Sequence, residues 1–529
     1  MEKKKLQVWL PLLMSLSMIA GMYFGFRMRD GMPGKSFFYT EKRRPIQEVL
    51  DIIQNKYVDS ADITHLSDSA IAAILRNLDP HSTFIPANDL QLANEDIAGN
   101  FFGIGVEFNI LNDTVHVVNV LKEGPAFKAA VLAGDRILKA NDSMLSGKKI
   151  TADRIRKILR GSLGTPVKMT IDRKGKQLEL IIKRGIIPLL SVDASYMIDD
   201  SIGFMRLNKF TKQTYREFMM GLDVLKKKGM KKLILDLRGN GGGVLEEAVE
   251  IADEFLDGDK LITYTEGLHT LKKEYRCRRQ GQFETGKLII LADEGTASAS
   301  EILMGALQDW DRAIIVGRRS FGKGLVQEQF DLANMGALRL TVARYYTPMG
   351  RSIQRPYKNG DKAYFNEISN RYINGGLLSA DSVKNDSSKI YTTKGGKKIF
   401  AAGGISPDVF IPADTSRLGL TTAKLFFTGL LTDFGYLYFL QNPQIIKTYK
   451  TPHDFVKSFN ITENDWLYFQ QLASRDSVNL SALPAAEKKY LIKSLKASVA
   501  RQLFRTEGYV EAMNDDDTGL QKAVEIMSK

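Results

Sequence analysis

The sequence predicts a multidomain α/β protein: a core of mixed sheet and helices, an inserted β-rich unit, and helical segments at both ends. Three observations carry that expectation. From residue 201 onward, apolar strands alternate with amphipathic helices, the pattern of an α/β unit. Residues 101–185 read instead as short strands joined by glycine turns, and residues 45–78 and the chain from about 418 repeat apolar side chains at helical spacing. At roughly 150 residues per domain, 529 residues suggest three or four units.

Residues 6–26 carry no charged side chain, and Lys3-Lys4-Lys5 stands directly before them. A helix of that length spans about 30 Å, the thickness of a bilayer's hydrocarbon core. Ile19-Ala20-Gly21-Met22 is a poor cleavage site, and no Cys follows for lipid attachment. The three lysines outweigh Arg27, Arg29 and Asp30, so the N-terminus is expected in the cytoplasm. Residues 1–30 are therefore read as a single-pass anchor in the cytoplasmic membrane, with the remaining chain in the periplasm or cell envelope. Cleavage as a signal peptide and secretion is the alternative.

Residues 31–96 form an N-terminal helical segment, with Ile46, Val49, Leu50 and Ile53 on one face, closed by the turn Leu78-Asp79-Pro80-His81-Ser82. Residues 97–185 make the β-rich unit. The core occupies 186–412, with a polar insertion near 357–400. Its strands include Leu233-Ile234-Leu235-Asp236-Leu237 and the apolar runs at 288–291, 313–316 and 338–345. Gly239-Asn240-Gly241-Gly242-Gly243 turns into a helix over 245–256, and a second helix begins near Ser298. Residues 413–529 are a C-terminal helical domain whose pattern includes 485–504 and Trp466, Tyr468 and Phe469.

Composition excludes several function classes. The chain is 44% hydrophobic and 26% charged, which rules out wholesale disorder and a polytopic membrane protein. The net charge of +13 is a mild bias at this length, without a basic run interleaved with aromatics, so no nucleic-acid partner is expected. The single cysteine, Cys277, excludes an internal disulfide and a cysteine zinc site. It stands among Arg276, Arg278 and Arg279, and is read as an incidental thiol. The five histidines (His65, His81, His116, His269 and His453) show no paired ligand spacing, and no G-x-S-x-G is present. No metal or cofactor is implied, and a general base other than histidine is needed.

Two arrangements compete at Gly317-Arg318-Arg319-Ser320-Phe321-Gly322-Lys323-Gly324. The G-x-x-x-x-G-K pattern resembles a phosphate loop, but Gly324 replaces the Ser or Thr that would hold magnesium, and the run after it is strand-like. A Ser–Lys pair is the other. Thr296-Ala297-Ser298-Ala299-Ser300 puts serines at a strand-to-helix turn, where backbone N–H groups and the helix dipole favour developing negative charge. A lysine serves as base only if burial lowers its pKa from about 10 toward 7, roughly 4 kcal/mol. Lys323, flanked by glycines and followed by Leu325 and Val326, suits that role; taken alone, the features are equally those of a glycine turn with a surface lysine.

At these residues the chain resembles the carboxyl-terminal processing (tail-specific) serine proteases, over residues 46–409. The motifs are Leu78-Asp79-Pro80-His81-Ser82-Thr83, Phe102-Gly103-Ile104-Gly105-Val106 and Leu235-Asp236-Leu237-Arg238-Gly239-Asn240. They continue with Gly295-Thr296-Ala297-Ser298-Ala299-Ser300-Glu301, Phe321-Gly322-Lys323-Gly324, Arg344-Tyr345-Tyr346-Thr347-Pro348 and Gly404-Ile405-Ser406-Pro407-Asp408. The resemblance implies a crotonase/ClpP-like protease core and makes residues 97–185 a PDZ domain. It implies Ser298 as nucleophile, Lys323 as general base, Gln327 as the residue orienting that lysine, and an oxyanion hole from the N–H groups of Gly243 and Ala299. Gly103, Ile104, Gly105 and Val106 would receive a peptide carboxylate, the adjoining strand edge pairing with the peptide. Gly241 stands where the family often has Pro. The implied partners are proteins with unstructured apolar C-termini, with a homo-oligomer or adaptor as further partner. The rival reading is a PDZ adaptor on an inactive protease scaffold.

Overall fold

The computed structural model describes residues 2–31, 45–147, 150–333, 335–379, 390–401, 403–417 and 419–529. The chain divides into two compact units, Met1–Ile74 and Leu75–Lys529. The first holds the helix Glu2–Gly31, in which Trp9–Arg27 is long and apolar enough to cross a membrane, and the helix Pro45–Lys56. Residues 75–96 belong to the large unit because the strand Thr83–Ile85 pairs antiparallel with Ala337–Tyr346.

The centre of the large unit is a six-stranded sheet in the order Val192–Met197, Ile202–Leu207, Lys232–Asp236, Leu288–Ala292, Ile314–Gly317 and Val409–Phe410. The first pair is antiparallel and the rest are parallel. Side chains alternate across a strand, and the two faces meet different partners. Leu233, Leu235, Leu288, Ile290 and Ile315 pack under Phe218, Leu222, Ile251 and Leu303 of the helices Thr214–Lys227, Leu245–Asp253 and Ala299–Asp309. Ile234, Ile289, Leu291 and Val316 point the other way, against Val510, Leu520, Ala523 and Met527 near the C-terminus. A second sheet runs Thr83–Ile85, Ala337–Tyr346, Leu261–Glu266, Lys273–Arg276, and Leu325–Asp331 pairs with the long strand Ala337–Tyr346.

The β-rich unit enters and leaves the core through one ribbon, Asn100–Gly103 paired with Gly185–Pro188. Its sheet is ordered Val106–Leu111, Thr114–Val120, Arg136–Ala140, Pro166–Arg173, Lys176–Lys183, around a core of Val117, Ile137, Ile155, Met169 and Ile171. Val106–Leu111 pairs on one side only, so its outer edge is unpaired among the described residues. The turn at Lys174-Gly175 has both φ angles positive, +52° and +84°, which matches the twist of a two-residue hairpin.

The C-terminal domain has its own core of Phe434, Phe455, Trp466, Phe469, Leu491 and Leu495. It also touches the β-rich unit: Asn109 Nδ2 donates to Asp433 Oδ1 at 2.8 Å and Arg505 Nη2 to the Val120 carbonyl at 2.6 Å. Burial pushes Asp433 up to about 6. The helix Ala485–Asn514 breaks at Phe504 and Arg505, where the latter's φ is +60°. The helical pattern in the sequence stops at the same place.

Candidate active site

Ser298 is the N-cap of the helix Ala299–Asp309, at φ +56° and ψ −117°. A non-glycine residue held there costs about 1–3 kcal/mol, a strain found where surrounding structure over-determines a functional geometry. The strand Leu288–Ala292 ends just before it, and Thr296 Oγ1 donates to the Leu237 carbonyl at 2.9 Å, tying the two turns together. The Ala299 N–H is the first of the helix and has no partner among the described residues, one of the first-turn donors that no intrahelical carbonyl serves.

The glycine turn lies against this cap. A Cβ on Gly242 would fall 2.6 Å from the Ala297 carbonyl, 2.7 Å from Ser298 Cβ and 2.8 Å from the Ala299 nitrogen, so only glycine fits at its φ of +93°. Gly242 N–H donates to Asn240 Oδ1 at 2.9 Å, whereas the N–H groups of Gly241 and Gly243 have no partner among the described residues. The Asn240 carbonyl accepts from the Ala297 N–H at 2.9 Å and from Ser300 Oγ at 3.0 Å. Ser300 is thus a fully buried packing serine.

Glu301, fully buried one turn into the helix, joins the serine to the lysine. Its Oε2 accepts from the Ser298 N–H at 2.8 Å and the Lys323 N–H at 2.9 Å. Its Oε1 accepts from the Gly322 N–H at 2.8 Å and the Ser320 hydroxyl at 2.5 Å. Burial pushes Glu301 up to about 7 against these four donors, which favour the carboxylate. Tyr345, also buried, adds a second link, its hydroxyl 2.6 Å from the Lys323 carbonyl and 3.1 Å from the Ser298 carbonyl.

Lys323 is largely buried. Desolvation lowers its pKa from the ordinary 10.5, with Arg339 adding to the effect and Glu301 and Asp79 opposing it. The backbones of Ser298 and Lys323 are therefore brought together, while no hydrogen bond joins Ser298 Oγ to Lys323 Nζ among the described residues. Gln327 does not reach the lysine either: its Nε2 donates to Thr341 Oγ1 at 3.1 Å. Thr341 N–H donates to Ser82 Oγ at 3.1 Å, and Ser82 Oγ to Asp79 Oδ2 at 2.6 Å. The turn at residues 78–83 thus lies beside the lysine. His81 belongs to it, its Nε2 2.7 Å from Tyr364 Oη, and burial together with Lys323 lowers its pKa to about 4.

Within the polar insertion, the helix Asp361–Ile373 lies against the lysine loop as a brace. Arg371, on the helix Asp361–Ile373, donates to the Ser320 carbonyl at 2.8 Å and the Gly403 carbonyl at 3.1 Å. The Arg355 guanidinium stacks 3.8 Å over Phe321 and 3.9 Å over Tyr364. After Gly324 comes the strand Leu325–Asp331 and not a helix, so the loop lacks the helix N-terminus a phosphate site needs. Cys277 is buried in the core, where desolvation and Asp253 push its thiol up to about 12. In the β-rich unit, Gly103 sits in the entry ribbon and Val106 opens the edge strand. Between them, the N–H groups of Ile104 and Gly105 have no partner among the described residues, and Gly105 has φ +78°.

Glu301 and Tyr345 were not singled out by the sequence reading, although both lie inside its motifs. The Ser-x-x-Glu spacing of a capping box was the available signal for Glu301; for Tyr345 there was none.

Residues 201–361 match the family model for peptidase family S41, residues 103–183 that for the PDZ domain, and residues 421–505 that of a family of unknown function. A carboxy-terminal-processing protease of Bartonella bacilliformis is 36% identical over 313 residues, covering 58% of this chain and 71% of that protein. A probable CtpA-like serine protease of Staphylococcus haemolyticus is 33% identical over 312 residues, 59% of this chain and 62% of its own length. The chain therefore spans less than two thirds of that staphylococcal relative. A solved photosystem II D1 C-terminal processing protease is 25% identical with a TM-score of 0.35, over 71% of this chain and 88% of that one.

Proposed function

The chain belongs to the carboxy-terminal-processing serine proteases, and we propose that it is a membrane-anchored endopeptidase of the cell envelope that cuts proteins near their C-termini through a Ser298–Lys323 dyad. The observation that carries this reading is the strained Ser298 sharing one carboxylate oxygen of Glu301 with Lys323, beside the unpaired Ala299 N–H.

In the proposed reaction the PDZ domain takes a free apolar tail, its carboxylate on the Ile104 and Gly105 N–H groups and its backbone along the open edge of Val106–Leu111. Ser298 Oγ attacks the scissile carbonyl carbon as neutral Lys323 Nζ removes its proton. The oxyanion of the tetrahedral intermediate is held by the N–H groups of Ala299 and Gly243. Lys323 then passes the proton to the leaving amine as the C–N bond breaks, giving an acyl-enzyme. A water deprotonated by the same amine hydrolyses it. A change of rotamer brings Lys323 from its resting position to Ser298, its long stem supplying the freedom. Gln327 Oε1, which has no partner among the described residues, would accept from the amine there.

The test is cleavage of a purified soluble form with an unstructured apolar-tailed substrate, mapped by mass spectrometry, with the terminus free or amidated. The free carboxylate is expected to be cut with a KM at least about tenfold lower, since amidation removes a charge-assisted contact. Equal parameters for both forms would remove tail recognition while leaving the peptidase. For the glycine turn, Gly242→Ala is expected to lower kcat about 100-fold, because a displacement of about 1 Å at the reacting centre costs that much. Unchanged kinetics would mean that the turn does not border the nucleophile.

A further inference from the structure

Arg238 stands one residue before the glycine turn, and its guanidinium is divided between two carboxylates. Nε and Nη2 donate to Asp236 at 2.9 and 2.8 Å. Nη1 donates to both oxygens of Asp517 at 2.9 Å each. The first pairing is local, to the buried end of the strand Lys232–Asp236, where Asp236 also lies 3.8 Å from Arg206 of the neighbouring strand. The second spans 279 positions of sequence.

Asp517 is not a mobile surface carboxylate. It is the N-cap of the helix Thr518–Ser528, and its Oδ1 also accepts the Leu520 N–H at 2.7 Å. That helix is fixed to the central sheet: Leu520, Ala523 and Met527 are buried against Ile234, Ile289, Leu291 and Val316. Lys232 Nζ, on the strand leading to Arg238, donates to the Met527 carbonyl at 2.7 Å. The direction of the Asp517 carboxylate is thus set by the helix, and Arg238 is held from outside the loop by a rigid body.

From Arg238 the linkage to the nucleophile is continuous. Gly239 N–H donates to Asp293 Oδ1 at 2.8 Å, and the Asn240 carbonyl holds Ala297 and Ser300 on either side of Ser298. Beyond the outer carboxylate, the turn is anchored by Asn240 Nδ2, which donates to the Leu207 carbonyl at 3.0 Å, and by the Gly242 carbonyl, which accepts from the Phe210 N–H at 2.9 Å; Asp517 is the anchor that comes from the C-terminal helix.

We propose that Asp517 is a positioning residue for the peptidase: from the C-terminal helix it clamps Arg238, and through it the turn that aims the Gly243 N–H at the nucleophile. The proposal deepens the reading of Ser298 as nucleophile and rests on it. It makes the last helix part of the catalytic geometry.

The test separates positioning from helix capping. Asparagine and serine cap helices about as well as aspartate, but neither offers Arg238 Nη1 two charged acceptors. Asp517→Asn and Asp517→Ser are compared with wild type in the full chain for kcat, KM and Tm, with Ser298→Ala in parallel. A kcat at least tenfold lower in both variants, with KM and Tm near wild type, is the expected result. Unchanged kcat in either variant, or a fall in kcat accompanied by a fall in Tm of more than about 4 °C, would overturn it. If Ser298→Ala keeps full activity, the nucleophile reading fails first and takes the proposal with it; loss of activity in Ser298→Ala with normal Asp517 variants sinks the proposal alone.

Discussion

Ser298→Ala is expected to lower kcat by at least about 10³-fold, the scale on which removal of a nucleophile acts, while the protein stays folded. The substitution deletes one hydroxyl. Glu301 keeps its bonds to the backbone N–H groups of residue 298, Lys323 and Gly322 and to the Ser320 hydroxyl, since none involves Ser298 Oγ. The backbone strain at φ +56° is unchanged, because alanine and serine meet the same steric limit there. At most a helix cap is lost, about 0.5–2 kcal/mol, so Tm should fall by only a few degrees, about 2–4 °C per kcal/mol at domain sizes of 150–250 residues. The measurement is single-turnover hydrolysis beside a thermal melt. Wild-type turnover in this variant would mean that another group attacks the substrate.

Lys323→Met has the second large effect, a loss of about 10²–10⁴-fold expected for removing a general base. Methionine replaces much of the stem without the amine, so the substitution separates chemistry from packing. The pH dependence carries its own sign. Desolvation lowers the folded pKa of Lys323 below the unfolded value, so the neutral amine persists to lower pH, and kcat should climb as pH rises through a midpoint below the ordinary 10.5. Glu301, pushed up to about 7, titrates in the same window; its ionisation opposes loss of the lysine proton, so the ascending limb belongs to the pair. For stability, the folded state binds fewer protons than the unfolded one between the lowered pKa and 10.5, so the lysine's contribution rises with pH across that window and is unfavourable below it. Lys323→Met should therefore raise Tm near pH 7, with the gain shrinking as pH approaches 10.5. A flat wild-type pH–rate profile over this range would remove the lysine from the chemistry.

Much of this architecture was legible in advance. The strand at 232–236, the helix after the glycine turn and the cap at Ser298 all follow from apolar periodicity and glycine placement, which act over a few residues. Two features were not legible there. Residues 75–96 joined the large unit because a three-residue strand found its partner at Ala337–Tyr346. Within the polar insertion, Tyr364 and Arg371 of the helix Asp361–Ile373 are buried, and Arg371 bonds the lysine loop at the Ser320 carbonyl. A buried arginine that satisfies carbonyls is invisible to a pattern that counts polarity as exposure.

By itself the sequence determined the kinds of element, their order, the membrane-length apolar helix and the motifs through which the family is identified, all written in neighbouring residues. The fold alone decided that one carboxylate, Glu301, holds serine and lysine together. It alone set Asp517 on Arg238, 279 positions away, and brought Asn109 and Val120 of the PDZ domain to Asp433 and Arg505 of the C-terminal helices. Such pairings depend on where the packed sheet leaves two distant backbones, and distance along the chain carries no periodic signal of that.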